Sequence, residues 1–339
     1  MQTVALCSAF ICAATAGAKP VHHFVFFGQD RAAIRTTPSF LESKAFEGAQ
    51  ITYTWASLEP RKDRYDFSAI RNDLVFLSSH GKKLFVQLQD LSFMAERVNV
   101  PQYLLSDTTY HGGAAQQYTS PNDDESRAVP GGWAARRWDP EVRDRFARLL
   151  HALGKEFDGR IAGINLTETS IEFASGRIMP TGFSGETYRE GIIANMRALK
   201  SAFPKSVALQ YANFMPGEWR PTLDKGYLRG VYEAATKYHV GVGGPDLLPF
   251  RKGELKSSYP LMHDAPSGVP IGIAVQEGNY AEVNPATGKR ASITDLLRFA
   301  TDYLHADYIF WSTEEPYYSA ELVPFMTSIA ERSNLMPER

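Results

Sequence analysis

The chain has 339 residues, of which 44% are hydrophobic and 22% are charged, and its formal net charge is −2. These values are typical of a globular protein with enough apolar residues to bury a sizeable core. They argue against a nucleic-acid-binding protein, because the sequence has no basic run that could neutralise a series of phosphates.

Residues 1–18 have the pattern of a secretory signal. Residues 3–14 are apolar and uncharged, and Ala16-Gly17-Ala18 has the small-x-small pattern of a cleavage site. The apolar run is too short to span a bilayer, so we expect a secreted or periplasmic protein with no membrane contact after cleavage. Because Met1-Gln2 contains no basic residue, a buried N-terminal helix or strand is the alternative. Both cysteines, Cys7 and Cys12, lie in this segment, so we expect no disulfide in the mature chain.

The rest of the chain alternates short runs of β-branched and aromatic residues with longer stretches of helical period. This alternation is typical of a parallel sheet with crossover helices. Strands are predicted at residues 23–27, 50–54, 83–89, 161–166, 207–211, 240–242, 271–275 and 308–311. Helices are predicted at residues 39–46, 67–80, 140–157, 185–203, 227–238, 293–305 and 319–333, and residues 250–270 show no clear helix. The order predicts an α/β fold, a single (β/α)8 TIM barrel over residues 19–339.

A long polar segment, residues 92–139, follows the third predicted strand. It contains five aromatic residues, Tyr103, Tyr110, Tyr118, Trp133 and Trp138. Loops of this length are usually functional or disordered, and disordered segments are poor in aromatic residues. We therefore expect this loop to cover part of the functional site.

Active sites of such barrels lie at the carboxyl ends of the strands, so polar and aromatic residues at those ends are the candidates for function. Reading the ends in chain order gives Trp55, Asp90, Asn165, Glu168, Tyr211, Asn213, Asp246, Glu277 and Trp311. Two of them are carboxylates that could divide the work of glycoside hydrolysis, in which one group donates a proton and the other is ionised.

In these positions the chain resembles clan GH-A of the glycoside hydrolases, which includes barrel-type β-galactosidases and many β-glycanases. Glu168 follows the fourth run and Glu277 the seventh, as the two catalytic glutamates do in that clan. The segment 55–60 with the later Tyr65-Asp66-Phe67 is similar to the clan's second-strand signature, and Trp311 matches the aromatic residue after strand eight.

The resemblance implies a retaining β-glycosidase without a cofactor, acting on a β-linked saccharide through a covalent glycosyl-enzyme intermediate. Glu168 would be the acid/base and Glu277 the nucleophile, about 5 Å apart. The clan places Asn directly before its acid/base, whereas this chain has Thr167 there and Asn165 two residues earlier. The residues expected to contact substrate are Trp55, Asp90, Asn165, Thr167, Tyr211, Asn213, Asp246 and Trp311.

Several alternatives stay open at this level. Thr167 in place of Asn supports a non-catalytic carbohydrate-binding barrel, Glu172 competes with Glu168 for the acid role, and Asp246 fits a turn equally well. Trp133, Trp138 and Trp219 are candidates for outer sugar subsites, although Trp138 fits a structural cap equally well. The histidines show no ligand spacing, so no metal is expected.

Overall fold

A computed structural model describes residues 20–119, 127–173 and 179–334, and the predicted signal at residues 1–18 lies outside them. Eight parallel strands form a closed barrel, in which the first strand pairs with both the second and the last. The barrel strands are β1 His22–Phe26, β2 Gly48–Thr54, β3 Lys83–Gln89, β6 Gly163–Leu166, β7 Val207–Tyr211, β8 Gly241–Gly244, β9 Ile271–Val275 and β12 Tyr308–Ser312. All eight predicted strands and the (β/α)8 barrel are therefore confirmed.

Two antiparallel ribbons lie outside the barrel. One joins β4 Ala114–Thr119 to β5 Val129–Ala135 within the long loop after β3, and the other joins β10 Val283–Asn284 to β11 Lys289–Arg290 after β9. The loop after β3 is thus partly folded, and Leu91 also bridges to Ala134 of β5.

The helices surround the barrel. They are α1 Ala33–Thr36, α2 Pro38–Leu41, α3 Trp55–Leu58, α4 Ser68–Ser79, α5 Gln102–Ser106, α6 Pro140–Phe157, α7 Gly185–Ala202, α8 Tyr227–Tyr238, α9 Lys252–Lys256, α10 Ser258–His263, α11 Ile293–Arg298 and α12 Val323–Asn334. Among the described helices, none has the length and apolarity that a membrane span requires.

The predicted helices are confirmed except in three places. The helix expected at residues 39–46 is shortened to the four-residue α2, which begins at Pro38 and follows the separate short helix α1 after the non-helical Thr37. Residues 250–270, expected to lack a helix, contain the short α9 and α10. Helix α11 continues into a π-helical turn at Phe299–Tyr303, and α12 is preceded by another at Tyr318–Leu322.

Helix α6 shows how local sequence fixes an element beside the site. Asp139 accepts hydrogen bonds from the backbone N–H groups of Glu141 and Val142, and Pro140 occupies the first helical position. The apolar residues recur at helical spacing and are buried against the barrel, and they are Val142, Phe146, Leu149, Leu150 and Leu153. The cap fixes where the long loop ends and therefore where the residues just before Asp139 lie.

The barrel interior is filled by aromatic and aliphatic side chains that alternate along the strands. Phe24, Phe85, Leu209 and Phe310 form one buried cluster below the carboxyl ends. Beside them, β8 and β9 approach so closely that Gly243 lies opposite Gly272. A Cβ atom on Gly243 would lie 1.6 Å from the Gly272 carbonyl oxygen, whereas one on Gly244 would make ordinary contacts at 3.4 Å.

We expect Gly243→Ala to destabilise the protein by about 3 kcal/mol or more, because backbone atoms in a closed barrel cannot move to relieve the overlap. Gly244→Ala, one residue along the same strand, should cost less than about 1 kcal/mol and is the matched control. Urea unfolding followed by circular dichroism measures both. Equal stabilities of the two variants would contradict the close packing of β8 on β9.

Candidate active site

A layer of hydrogen-bonded polar side chains forms the floor of the barrel mouth. The Gln50 amide donates to Asn165 Oδ1 at 2.8 Å and to the Tyr211 hydroxyl at 3.1 Å. Two residues further along β2, the Thr52 hydroxyl donates to Gln87 Oε1 at 2.7 Å. Asn165 and Tyr211 are at most 1% exposed, so their polar atoms are committed to this floor. In this structure Asn165 and Tyr211 support the floor of the barrel mouth, and a contact of either residue with substrate stays a prediction.

Trp55 and Trp311, which were expected to contact substrate, are both 0% exposed, so neither side chain lines the barrel mouth in this structure. Trp55 begins α3, packs edge-on against Phe146 and donates its indole N–H to Glu59 at 2.9 Å. Trp311 faces the helical layer, and its indole N–H donates to Nδ1 of His23 at 3.1 Å. Burial lowers the pKa of His23 to about 4, which leaves its ring neutral and able to accept this bond.

Glu168 lies two residues beyond the end of β6, with Asn213 beside it at the end of β7. The Asn213 amide donates to Glu168 Oε2 at 2.6 Å. The Asn213 side-chain oxygen accepts from the backbone N–H of Phe214 at 3.0 Å, which fixes the orientation of the amide. The predicted pair Glu168 and Asn213 is therefore brought together by neighbouring strands. Glu172, the competitor of Glu168, is exposed.

Burial raises the pKa of the Glu168 carboxyl to about 7. The Asn213 hydrogen bond and the charge of Arg137 act in the opposite direction, and the charges of Asp246 and Glu254 raise the pKa further. A carboxyl with this pKa is partly protonated at neutral pH and can donate a proton to a leaving group. The geometry therefore provides the acid half of the two-carboxylate chemistry.

Arg137, which sequence reasoning missed, connects the long loop to the turn that carries Glu168. Its guanidinium donates to both carboxylate oxygens of Asp90, at 2.8 and 2.5 Å. It also donates to the Thr167 hydroxyl at 2.6 Å, to the Glu168 carbonyl oxygen at 2.9 Å and to the Tyr188 hydroxyl at 2.7 Å. A signal was present in the two adjacent arginines just before the helix cap at Asp139, but sequence alone does not show which one reaches Asp90 and the Glu168 turn.

These hydrogen bonds of Arg137, called the clamp from here on, also account for two other predicted site residues, Thr167 and Asp90. The Thr167 hydroxyl accepts from Arg137 and donates to Asp90 at 2.7 Å, so both of its roles are filled by protein groups. Burial alone would raise the pKa of Asp90, but the Arg137 guanidinium and the hydrogen bonds outweigh burial and lower it. The clamp therefore gives Thr167 and Asp90 the role of holding Glu168, and their contact with substrate stays a prediction.

Asp246 follows β8, one strand beyond Asn213, and is held on both sides. Asn279 donates to its Oδ1 at 2.8 Å, and Arg251 lies 3.0 Å from its Oδ2. Asn279 is 2% exposed, and its own side-chain oxygen accepts from the backbone N–H groups of Leu247 and Gln276. Asn279 thus ties the loop after β8 to the loop after β9 and orients a second carboxylate near Glu168.

Glu277, the predicted nucleophile, follows β9 and is exposed. The next residue, Gly278, has φ +90°, a conformation that favours glycine, and its N–H donates to Glu314 Oε2 at 2.8 Å. This turn connects the loops after the seventh and eighth barrel strands. Glu277 therefore lies at the same end of the barrel as Glu168.

One group of potential metal ligands occurs among the described residues, formed by His111, Asp139 and Glu141 with ligand atoms within 4.8 Å of one another. Asp139 already uses one oxygen to cap α6 and the other to bind His111 at 2.7 Å. The cluster is thus accounted for by the helix cap and the hydrogen bond between Asp139 and His111.

A groove of about 700 Å³ lies between the loop after β8 and the helix that follows β11. Phe250, Phe299 and Tyr303 contribute to its lining, and Glu168 does not. This groove is therefore separate from the candidate active site, which is identified by its carboxyl groups and their hydrogen-bond partners.

Comparisons with solved structures agree with this architecture. The catalytic domain of a β-amylase from Paenibacillus polymyxa aligns with a TM-score of 0.59 and 9% identity, over 93% of this chain and 99% of that one. A GH5_18 protein from Streptomyces cattleya in complex with Manβ1-4GlcNAc aligns with a TM-score of 0.55 and 13% identity, over 94% and 82%. The endo-glycoceramidase II of a Rhodococcus species aligns with a TM-score of 0.51 and 11% identity, over 92% of this chain and 79% of that one.

The chain has the fold of these glycoside hydrolases. At 9–13% identity the likeness is one of fold, so the chemistry must be argued from the residues of this chain. No family model matches the sequence, and no curated protein matches it.

We expect Arg137→Met to cost about 3–5 kcal/mol of stability, because it leaves the carboxylate of Asp90 buried without its partner. Arg148→Ala is the control, since Arg148 pairs with Asp144 at an exposed site and its loss should leave the stability almost unchanged. Urea unfolding at pH 7 measures both. If Arg137→Met were as mild as the control, the clamp would not stabilise the fold.

We expect Glu168→Gln to stabilise the protein at alkaline pH. The pKa of Glu168 is about 7 in the folded chain and near 4.5 in the unfolded chain, so the folded chain holds the proton more tightly. Ionising Glu168 therefore costs stability as the pH rises from about 4.5 to above 7. Gln is neutral throughout, so the variant should gain about 1–3 kcal/mol at pH 8 and almost nothing at pH 4. A gain that is equal at both pH values in thermal unfolding would contradict the raised pKa.

Proposed function

We propose that the protein is a β-glycoside hydrolase in which Glu168 protonates the leaving oxygen. The observation that carries this proposal is the carboxyl of Glu168, which burial keeps partly protonated at the mouth of the barrel and which Asn213 orients. Glycoside hydrolysis needs one carboxylic acid that arrives protonated and one carboxylate that is ionised. The fold shared with glycoside hydrolases supports the same reaction class.

In the retaining scheme, Glu277 attacks the anomeric carbon of a β-linked oligo- or polysaccharide and forms a covalent glycosyl-enzyme intermediate. Its position after the seventh barrel strand and its exposure support this role. Glu168 then acts as a base and removes a proton from the water that releases the sugar. We assign Asn213, which hydrogen-bonds the Glu168 carboxyl, and Asp246, whose charge raises the pKa of Glu168, as substrate contacts beside it. The apolar segment at residues 3–14 supports a secreted or periplasmic location.

Glu277→Ala should abolish turnover of aryl β-glycosides, because no group would remain to form the covalent intermediate, and should leave thermal stability unchanged, because the side chain is exposed. Azide should restore turnover by replacing the lost nucleophile. The wild-type reaction should give the β anomer first, as observed by proton NMR. Glu315→Ala, which removes another exposed acid after a barrel strand, should keep wild-type activity.

Asp246→Asn separates the retaining scheme from an inverting one. In the retaining scheme this variant keeps part of its activity, because Glu277 is still present to form the intermediate, and its alkaline pH limb moves to lower pH because a charge that raises the pKa of Glu168 is lost. If Asp246→Asn is inactive, Glu277→Ala is active and the α anomer appears first, then Asp246 is the base and the retaining scheme is wrong. Tight binding of glycans without any product would favour the carbohydrate-binding barrel.

A further inference from the structure

Trp219 is a large apolar side chain that the fold leaves in solvent. It lies in the segment between β7 and α8 and is 59% exposed, and the neighbouring Leu223 is 50% exposed. Exposed tryptophans are uncommon in protein surfaces, and clustered exposed apolar side chains often mark a binding surface. The position of Trp219 on the carboxyl side of a barrel strand places it at the end that carries Glu168.

The indole of Trp219 lies flat on the ring of Phe214. The two ring centroids are 5.7 Å apart and the planes are inclined by only 10°. Phe214 is in turn supported from the side by α9, where a Cβ on Gly253 would lie 3.1 Å from the Phe214 ring. Phe214 therefore supports the indole in an offset stack, and 59% of Trp219 remains exposed to solvent.

The segment that carries Trp219 is held in place by several hydrogen bonds. Trp219 and Leu223 exchange backbone hydrogen bonds of 3.0 and 2.6 Å. The Arg220 guanidinium donates to the Ser257 carbonyl oxygen at 3.0 Å. The carboxylate of Glu218, 8% exposed, accepts from the backbone N–H groups of Tyr227 and Leu228 at the start of α8. The indole is thus presented on a fixed backbone, which lowers the entropy lost on binding.

The ring pair is connected directly to the turn of Glu168. Thr169, the residue after Glu168, donates its hydroxyl to the Phe214 carbonyl oxygen at 2.6 Å. The Phe214 N–H donates to Asn213, whose amide binds the Glu168 carboxyl. Two hydrogen bonds thus place the backbone of Phe214 against the proton donor.

We propose that the stacked pair Trp219 and Phe214 forms the subsite for the sugar on the leaving-group side of the scissile bond. This inference rests on the proposed function of Glu168. A proton donor lies beside the glycosidic oxygen, so the departing sugar lies on its side of the cleft. A β-linked pyranose presents a flat face of C–H groups that fits an exposed indole, whereas its hydroxyl groups remain in water.

The test compares a substrate whose leaving group is a sugar with one whose leaving group is not. A panel of β-1,4-linked tetrasaccharides, namely cellotetraose, xylotetraose and mannotetraose, identifies the sugar, and the β-glycosyl fluoride of that sugar is the control substrate, because fluoride is too small to contact the ring pair. We expect Trp219→Ala to lower kcat/KM on the tetrasaccharide at least about tenfold and to leave kcat/KM on the fluoride unchanged. Trp219→Phe, which keeps a flat ring, should restore most of the loss.

Leu223→Ala is the matched control variant, because it removes exposed apolar surface from the same segment without removing a ring. It should behave as the wild type on both substrates. Equal losses on tetrasaccharide and fluoride in Trp219→Ala, or no loss on either, would overturn the subsite. A change of oligomeric state in Trp219→Ala, measured by sedimentation, would instead assign the ring pair to contact between copies of the chain and would also overturn it.

A binding measurement separates this inference from the proposed function. Titration of each tetrasaccharide into the Glu168→Gln variant should quench tryptophan emission, and the quench should be lost in the Glu168→Gln, Trp219→Ala double variant. If the wild type cleaves no glycan but this Trp219-dependent quench is present, the hydrolase proposal fails and the sugar subsite stands. If the wild type cleaves a tetrasaccharide and the quench does not depend on Trp219, the subsite fails and the hydrolase stands.

Discussion

The buried ion pair between Arg137 and Asp90 is the interaction on which the site depends. Asp90 follows the third barrel strand and Arg137 ends the long loop, so the pair fixes the loop against the barrel. The same guanidinium holds the Glu168 carbonyl oxygen and the Thr167 hydroxyl. Because a guanidinium has five donors in a fixed planar arrangement, one residue can position a strand end, a loop end and a helix side chain together.

Two carboxyl groups at this end of the barrel, the buried Asp90 and the half-buried Glu168, show how the surroundings set their protonation. Burial favours the neutral form of both Asp90 and Glu168. Asp90 receives a bidentate guanidinium, which lowers its pKa, whereas the Glu168 carboxyl receives one neutral amide and lies near the charges of Asp246 and Glu254. The first group is therefore an anion at neutral pH that supports structure, and the second can carry a proton at neutral pH.

Some features of the site followed from the sequence and others did not. The eight strands were predictable because parallel strands buried on both faces are short apolar runs, and the carboxylates at their ends followed from the barrel rule. Trp55 and Trp311 were misplaced, because whether a strand-end tryptophan faces the mouth or the helical layer depends on tertiary packing. Arg137 was missed because its partners lie 30 to 51 positions away along the chain.

The sequence by itself determined the alternation of strands and helices, the closed barrel and the placing of Glu168 and Glu277 after the fourth and seventh strands. These features follow from local periodicity, which a single chain displays in full. Only the tertiary structure decided which polar groups are buried from solvent, that the Glu168 carboxyl has a raised pKa and that Trp219 remains exposed. The physical reason is that desolvation and charge pairing depend on distances between residues far apart in the chain, which no local pattern records.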